Sequence, residues 1–348
     1  MFSTNKVLAL LTQSDQKQSI YVIFLVLGMA FFEMIGIFSV MPFLTVLGDP
    51  SLINENKYLF FLHQQISSFI YLDNNEFLML LGAGSFSIII FSSLFRIVAQ
   101  YKINKFIERI RYSISKRILA NYLHSSYSFF LESHSSELSK NILSEVDELV
   151  SNVIRPYFNM FAGAATLLFI SILLLSVDYK IAIISSILFG GLYALIFLLV
   201  KKKLRDLGGL RLTSNEKRYF YASEAFSIIK QIKLSGKEAE YLSLFKKPSL
   251  IFSDTQANHL IISQVPKYLI EALAFGGLII IIMILINSHD LSDENPLGVI
   301  LPILGVYAFS AYRLQPAIQN IFQGVASFEY GMSAIKRISY DLVASNNL

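Results

Sequence analysis

Five ionisable residues sit inside stretches that are otherwise apolar: Glu33, Arg96, Lys267, Glu271 and Arg313. A charge at membrane depth is costly, so it marks either an ion pair or a working site. Arg96 closes its apolar stretch and Lys267 follows Pro266 near the start of another, where a long cationic side chain can also reach the bilayer edge as an anchor. Arg313 lies deep in its stretch, beside Tyr312, where anchoring is a poor explanation. Glu33 and Glu271 have the simpler reading of pairing with a neighbouring helix. Three cations facing one cavity would suit an anion such as a phosphate or pyrophosphate group. Charge-assisted hydrogen bonds to such oxygens are strong, and a guanidinium offers two in parallel.

Other chemistry is excluded by what the chain lacks. There is no cysteine, which removes disulfides, iron–sulfur clusters and thiol catalysis. The five histidines are scattered, and no HExxH, GxSxG or phosphate-binding GxxxxGK[ST] pattern occurs. Leu234–Ser235–Gly236 resembles a nucleotide-binding signature but continues as Lys-Glu. No covalent active site, metal site or nucleic-acid site is expected. The chain carries no ATPase motif of its own.

Long apolar helices must position these charges. The composition is 54% hydrophobic and only 16% charged, with a mean hydropathy of +0.55. Soluble domains carry about 25% charged residues. The expected class is all-α, a polytopic membrane protein with six spans near residues 20–47, 77–99, 155–177, 181–200, 265–287 and 296–318. The second element does not stop at the membrane. Ile103, Phe106, Ile107, Ile110, Ile114, Ile118 and Tyr122 continue at helical spacing. One helix over residues 77–125 would run roughly 70 Å at 1.5 Å per residue, against about 30 Å of hydrocarbon. The fourth span continues likewise through Lys201–Lys203, and helical pattern persists after the sixth to about Leu342.

Residues 1–19 are expected to hold an amphipathic surface helix, with no cleavable signal. A small amphipathic helix is expected at 57–72, and Ser136 is expected to cap the helix leading to the third span. Asp178 to Lys180 should make a tight turn, and the loop with Asp290, Asp293 and Glu294 should precede the sixth span. Small residues at Gly163–Ala165, Gly190–Gly191 and Gly276–Gly277 are expected at close helix contacts. The 2–3 and 4–5 connections hold most of the Lys and Arg, whereas the 1–2 and 5–6 loops hold Lys57 against seven acids. Basic connections stay in the cytoplasm, so both termini are expected there.

Several segments resemble a known family: FEMIGIFSVMPFL (32–44), SFFLESHSSELSKNI (128–142), IIKQIKLSGKEAEYLSLF (228–245), VPKYLIEALAFGG (265–277) and YAFSAYRLQPAIQNI (307–321). With six spans and two long cytoplasmic excursions, they resemble the transmembrane domain of ATP-binding-cassette exporters. Within that superfamily they are similar to bacterial lipid-linked oligosaccharide flippases and polysaccharide exporters. The resemblance implies a transmembrane domain over 20–325 and a cytoplasmic linker over 326–348, where a nucleotide-binding domain would normally follow. It implies a permease subunit for an anionic glycolipid, paired as a homodimer in the bacterial inner (plasma) membrane. ATP and Mg would sit on a nucleotide-binding ATPase domain or subunit supplied elsewhere, by truncation of a longer frame or by a separate chain.

Residue by residue, the resemblance implies that Arg96, Lys267 and Arg313 line the cavity, with Lys267 where an arginine is expected. Tyr127, Phe129 and Phe130 would belong to a first coupling helix near 125–131. Glu224 and Phe226 would belong to a second near 222–230. The alternatives are a multidrug or peptide exporter of the same fold, expected to have a more apolar cavity, and a non-transporting remnant or scaffold.

Overall fold

A computed structural model describes residues 10–51, 53, 56–67, 73–177, 179–288 and 296–343, and their regular structure is helical throughout. Helix α1 (Gln13–Gly48) starts from a capping box in which Thr12 and Asp15 satisfy each other's backbone amides. Residues 13–19, at the end of the expected surface helix, belong to the first long helix. Residues 1–9 lie outside the described residues. Helix α2 (Lys57–Ser67) is the small amphipathic element, and residues 68–72 lie outside the described residues.

Helix α3 (Asn74–Leu123) is a single 50-residue rod begun by a second capping box, Asp73 with Glu76. At 1.5 Å per residue it measures about 75 Å. All seven apolar residues expected on one face of its lower half are buried. Two short helices follow, α4 (Tyr127–Glu132) and α5 (Ser135–Lys140). Ser136 does not cap α5. The first turn closes on the His134 carbonyl, which accepts from the amides of Glu137 and Leu138, so Ser136 already lies inside the helix.

The path into the next element stays helical but widens twice, at π-helical turns over Asn141–Glu145 and Val150–Ile154. These flank the short α6 (Val146–Leu149), and α7 (Arg155–Val177) follows. Helix α8 (Tyr179–Ser227) runs 49 residues to a bend at Ile228. The short α9 (Ile229–Ser235) ends at Gly236, whose φ of 63° is the left-handed conformation that glycine adopts freely. The Leu234–Ser235–Gly236 motif is therefore a helix stop: the amide of Lys237 donates back to the Ile232 carbonyl. Helices α10 (Glu238–Ser288) and α11 (Pro296–Val343) complete the bundle. Asp178 and the acidic loop at 289–295 lie outside the described residues.

Among the described residues, three helical stretches are long and apolar enough to cross a membrane: Gln13–Gly48, Asn74–His124 and Ser135–Ser176. The remaining three expected spans fall on α8, α10 and α11, where many side chains lie outside the described residues. Helix α11 is the central post. It packs on α7, α1, α8 and α10, while α1 packs on α3 and α8 on α10. Close approach is clearest at Gly163, where a Cβ would lie 2.3 Å from the Ala317 carbonyl oxygen. Among the described residues, nothing lies within 4 Å of a Cβ placed at Gly190, Gly191 or Gly276.

Among the described residues the largest apolar cluster centres on the lower face of α3, with Leu10 and Leu11, Val146 to Ile154, Phe158 and the end of α11 at Phe328, Ile335, Ile338 and Leu342, and it reaches up into the expected spans at Val22, Val26, Ala30 and Ala165. A smaller cluster in the membrane half groups Ile37, Ile170, Leu173, Leu174, Val306 and Tyr307.

Candidate functional site

Three of the charges at membrane depth converge from three helices, and a fourth helix adds a hydroxyl. Glu33 of α1 is buried, its side chain 4% exposed. Arg96 of α3 places Nη1 3.2 Å from Glu33 Oε1, and Arg313 of α11 places its own Nη1 3.5 Å from the same oxygen. The hydroxyl of Thr166 on α7 donates to the other oxygen, Oε2, at 3.1 Å. One carboxylate is thus clamped by two guanidinium groups and a hydroxyl. The guanidiniums are not sealed in: the Arg96 side chain is 45% exposed and that of Arg313 20%. Helix spacing positions them, because Glu33 and Gly36 share the α1 face that meets Ser92 and Arg96 on α3.

Two of the three expected cations therefore meet in one place, and Glu33 has the helix partner expected for it. Lys267 is exposed on α10 and Glu271 half-buried, and neither has an ion pair among the described residues. Thr166 was not foreseen, since a threonine in an apolar run carries no signal of its own. Arg96 and Arg313 supply two fixed positive charges at a partly open place in an apolar surround. Such a place can hold an anion, and it already holds one of the protein's own.

The residues assigned to coupling divide by orientation. Tyr127 is 77% exposed and Phe226 76%, while Phe130 is at the margin of exposure. Phe129 turns the other way, stacking on Tyr122 of α3 with ring centroids 5.7 Å apart, and packs on the main core. On the other side, residues 222–230 do not form one helix of their own. Glu224 and Phe226 occupy the last turn of α8, and the chain bends at Ile228.

Below the membrane half lies a network for which the sequence carries no local signal. Arg211 of α8 is buried and pairs with the fully buried Glu145 at 2.7 Å and with Glu148 at 3.5 Å. Asn215 Nδ2 donates to Ser144 Oγ at 2.9 Å and to Glu145 Oε1 at 3.2 Å. Burial opposes the charge on Arg211, yet Glu148 and Glu145 outweigh it and hold the guanidinium above its ordinary range. Burial pushes the Glu148 carboxyl up, against the pull of Arg211 and Asn152. It pushes the Lys140 ammonium down, with Glu216 3.8 Å away working in the opposite sense. Arg337 of α11 pairs with Glu137 of α5. Arg205 pairs with Glu329 at 2.7 Å, and Gly208 lets α8 approach α11 so closely that a Cβ there would meet the Tyr330 carbonyl oxygen at 2.0 Å.

Between the two regions a polar cavity of about 230 Å³ opens, lined by Asn159, His259, Ser263, Asn320, Gln323 and Ser327 among others. His259 stacks on Tyr330 at 4.0 Å, and burial lowers its imidazole to about 4.

Together these features define a class: an all-helical, multi-pass membrane protein whose helices outrun the bilayer and whose charges are gathered at two depths. Residues 58–295, more than half of the chain, match the ABC transporter transmembrane region. The chain belongs to that family, and it is a transport protein of the permease type.

Proposed function

We propose that this chain is the membrane half of an ATP-driven exporter that moves an anionic glycolipid, with a diphosphate-type headgroup engaging Arg96 and Arg313. The observation that carries this reading is the meeting of two arginines from separate helices at membrane depth, with both guanidiniums still partly exposed. Two copies pair in a bacterial inner membrane with both termini in the cytoplasm. An ATPase domain or subunit, holding ATP and Mg, bears on α4 and on the bend between α8 and α9. Tyr127 and Phe226 are the exposed aromatics offered to it, whereas Phe129 serves to fasten α4 to the bundle. Lys267 contributes a more distant positive charge. A carrier of apolar drugs would have little use for two charges at this depth, which favours the anionic cargo.

The test is ATP-dependent movement of a fluorescent polyprenyl-diphosphate sugar into inverted membrane vesicles that hold the chain together with its ATPase. Arg313→Ala should reduce ATP-dependent transport at least tenfold, a transition-state or binding loss of about 1.4 kcal/mol, with the amount of folded protein unchanged. Undiminished transport removes Arg313 from the site. For the docking arm, Tyr127→Cys should crosslink to the ATPase in at least one nucleotide state, and no crosslink in any state overturns that contact.

A further inference from the structure

Glu33 raises a question that the anion-site reading leaves open. A carboxylate that already occupies both arginines is a competitor for them, held in the protein itself. It is buried, shared between Nη1 of Arg96 and Nη1 of Arg313, and pinned on its other oxygen by Thr166. A ligand reaching the guanidiniums must take the place of Glu33 or add to it. Replacing a carboxylate with another carboxylate gains nothing at the arginines and leaves Glu33 buried without its cations. Breaking a buried pair in that way is strongly unfavourable. A headgroup with several negative charges is attracted to both guanidiniums by more than one unit of charge, and that surplus offsets the loss. The three charges sum to one positive, so a monoanion meets a weak attraction and a polyanion a stronger one.

We propose that Glu33 is a specificity-determining residue: it acts as an internal counter-ion that makes the Arg96–Arg313 site refuse monoanionic lipids and accept polyanionic headgroups. This rests on the reading of that site as the place where cargo binds. It matters in a bilayer, where carboxylate and monoester lipids are abundant competitors for any exposed arginine. Thr166 is a positioning residue in this scheme. By holding Oε2 it keeps Oε1 between the two arginines.

The test uses the full chain in nanodiscs of uncharged lipid and three probes with the same tail: farnesyl diphosphate, farnesoate and farnesol. The unmodified protein is expected to bind farnesyl diphosphate at least about thirtyfold more tightly than farnesoate, a difference near 2 kcal/mol by the tenfold-per-1.4 relation. It should hold farnesoate no more than about twofold more tightly than farnesol, and in Glu33→Gln that farnesoate-to-farnesol ratio should grow at least about tenfold. Thr166→Val should raise it by a smaller factor, and it decides the matter if Glu33→Gln fails to fold. An unchanged ratio in a folded variant overturns the proposal, even if Arg313→Ala abolishes diphosphate binding and so sustains the anion site. If farnesyl diphosphate binds the unmodified protein no better than farnesol, the anion site itself fails, and the role of Glu33 fails with it. A variant that only loses thermal stability, with its ratio intact, makes the Glu33 cluster a structural ion bridge.

Discussion

The two halves of α3 are one helix in two solvents, and they are built on opposite rules. From Phe77 to Ala99 the buried positions are Phe77, Ser85, Ser92 and Ala99, mostly small, while Phe86, Phe91, Leu94 and Ile97 are exposed. From Ile103 to Tyr122 the buried positions are large and apolar throughout. In hydrocarbon an exposed leucine costs nothing, so association relies on small residues, hydrogen bonds and ion pairs. Ser85 donating to the Ser39 carbonyl and Arg96 meeting Glu33 are contacts of that kind. In water the same helix must cover its apolar stripe, and the main core forms there. The protruding half is thus a water-solvent domain grown on membrane helices, cross-tied by Arg211, Arg205 and Arg337.

That contrast can be broken or sharpened by experiment. The largest effect is expected at Arg211→Ala, which leaves Glu145 buried and unpaired. It should lower unfolding stability by about 3–5 kcal/mol, read from circular-dichroism melts in detergent. Replacing Arg211 and Glu145 together with Met and Leu should recover most of that loss, since the pair is expensive to break and not to remove. Next comes Ile110→Ala on the buried lower face, expected to cost about 2–5 kcal/mol. The matching Leu94→Ala in the membrane half should stay within about 0.5 kcal/mol. Equal costs at the two positions would end the two-solvent account.

A smaller effect is expected from pH. The folded-state pKa of His259 is depressed to about 4 from its ordinary 6.5. Its contribution is therefore fully present above about pH 6.5 and is lost as pH falls toward 4. Unfolding stability should fall over that window, by on the order of 3 kcal/mol for such a shift, and the melting midpoint with it. His259→Asn should flatten the profile. If the variant shows the same slope, another group is responsible.

The lower half of α3 was legible because its stripe repeats at helical spacing without a break, and all seven predicted positions are buried. Charges at membrane depth were legible because each is an exception within an apolar run. Their partnership was only half legible: Glu33 and Arg313 lie far apart along the chain, and nothing local states which helices will be neighbours. The Arg211–Glu145 network was opaque for the same reason. Arg211 stands among many basic residues whose neighbours are exposed, and only tertiary packing distinguishes it. The cap of α5 was misplaced because a serine suits that position, yet the carbonyl of His134 closes the turn without it. The break at Ile228 had no proline or glycine to announce it.

Phe129 stacks on Tyr122, and Tyr122 lies on the same helix as Arg96. Between those two positions α3 contains neither proline nor glycine, the usual causes of a sharp kink. They are about 40 Å apart along the axis at 1.5 Å per residue. A shove delivered to α4 has no joint in which to dissipate before it arrives beside the Glu33 carboxylate. Arg96 and the α4 foot are thus two ends of one axle, and a substitution that softened its middle would uncouple them while leaving each end intact.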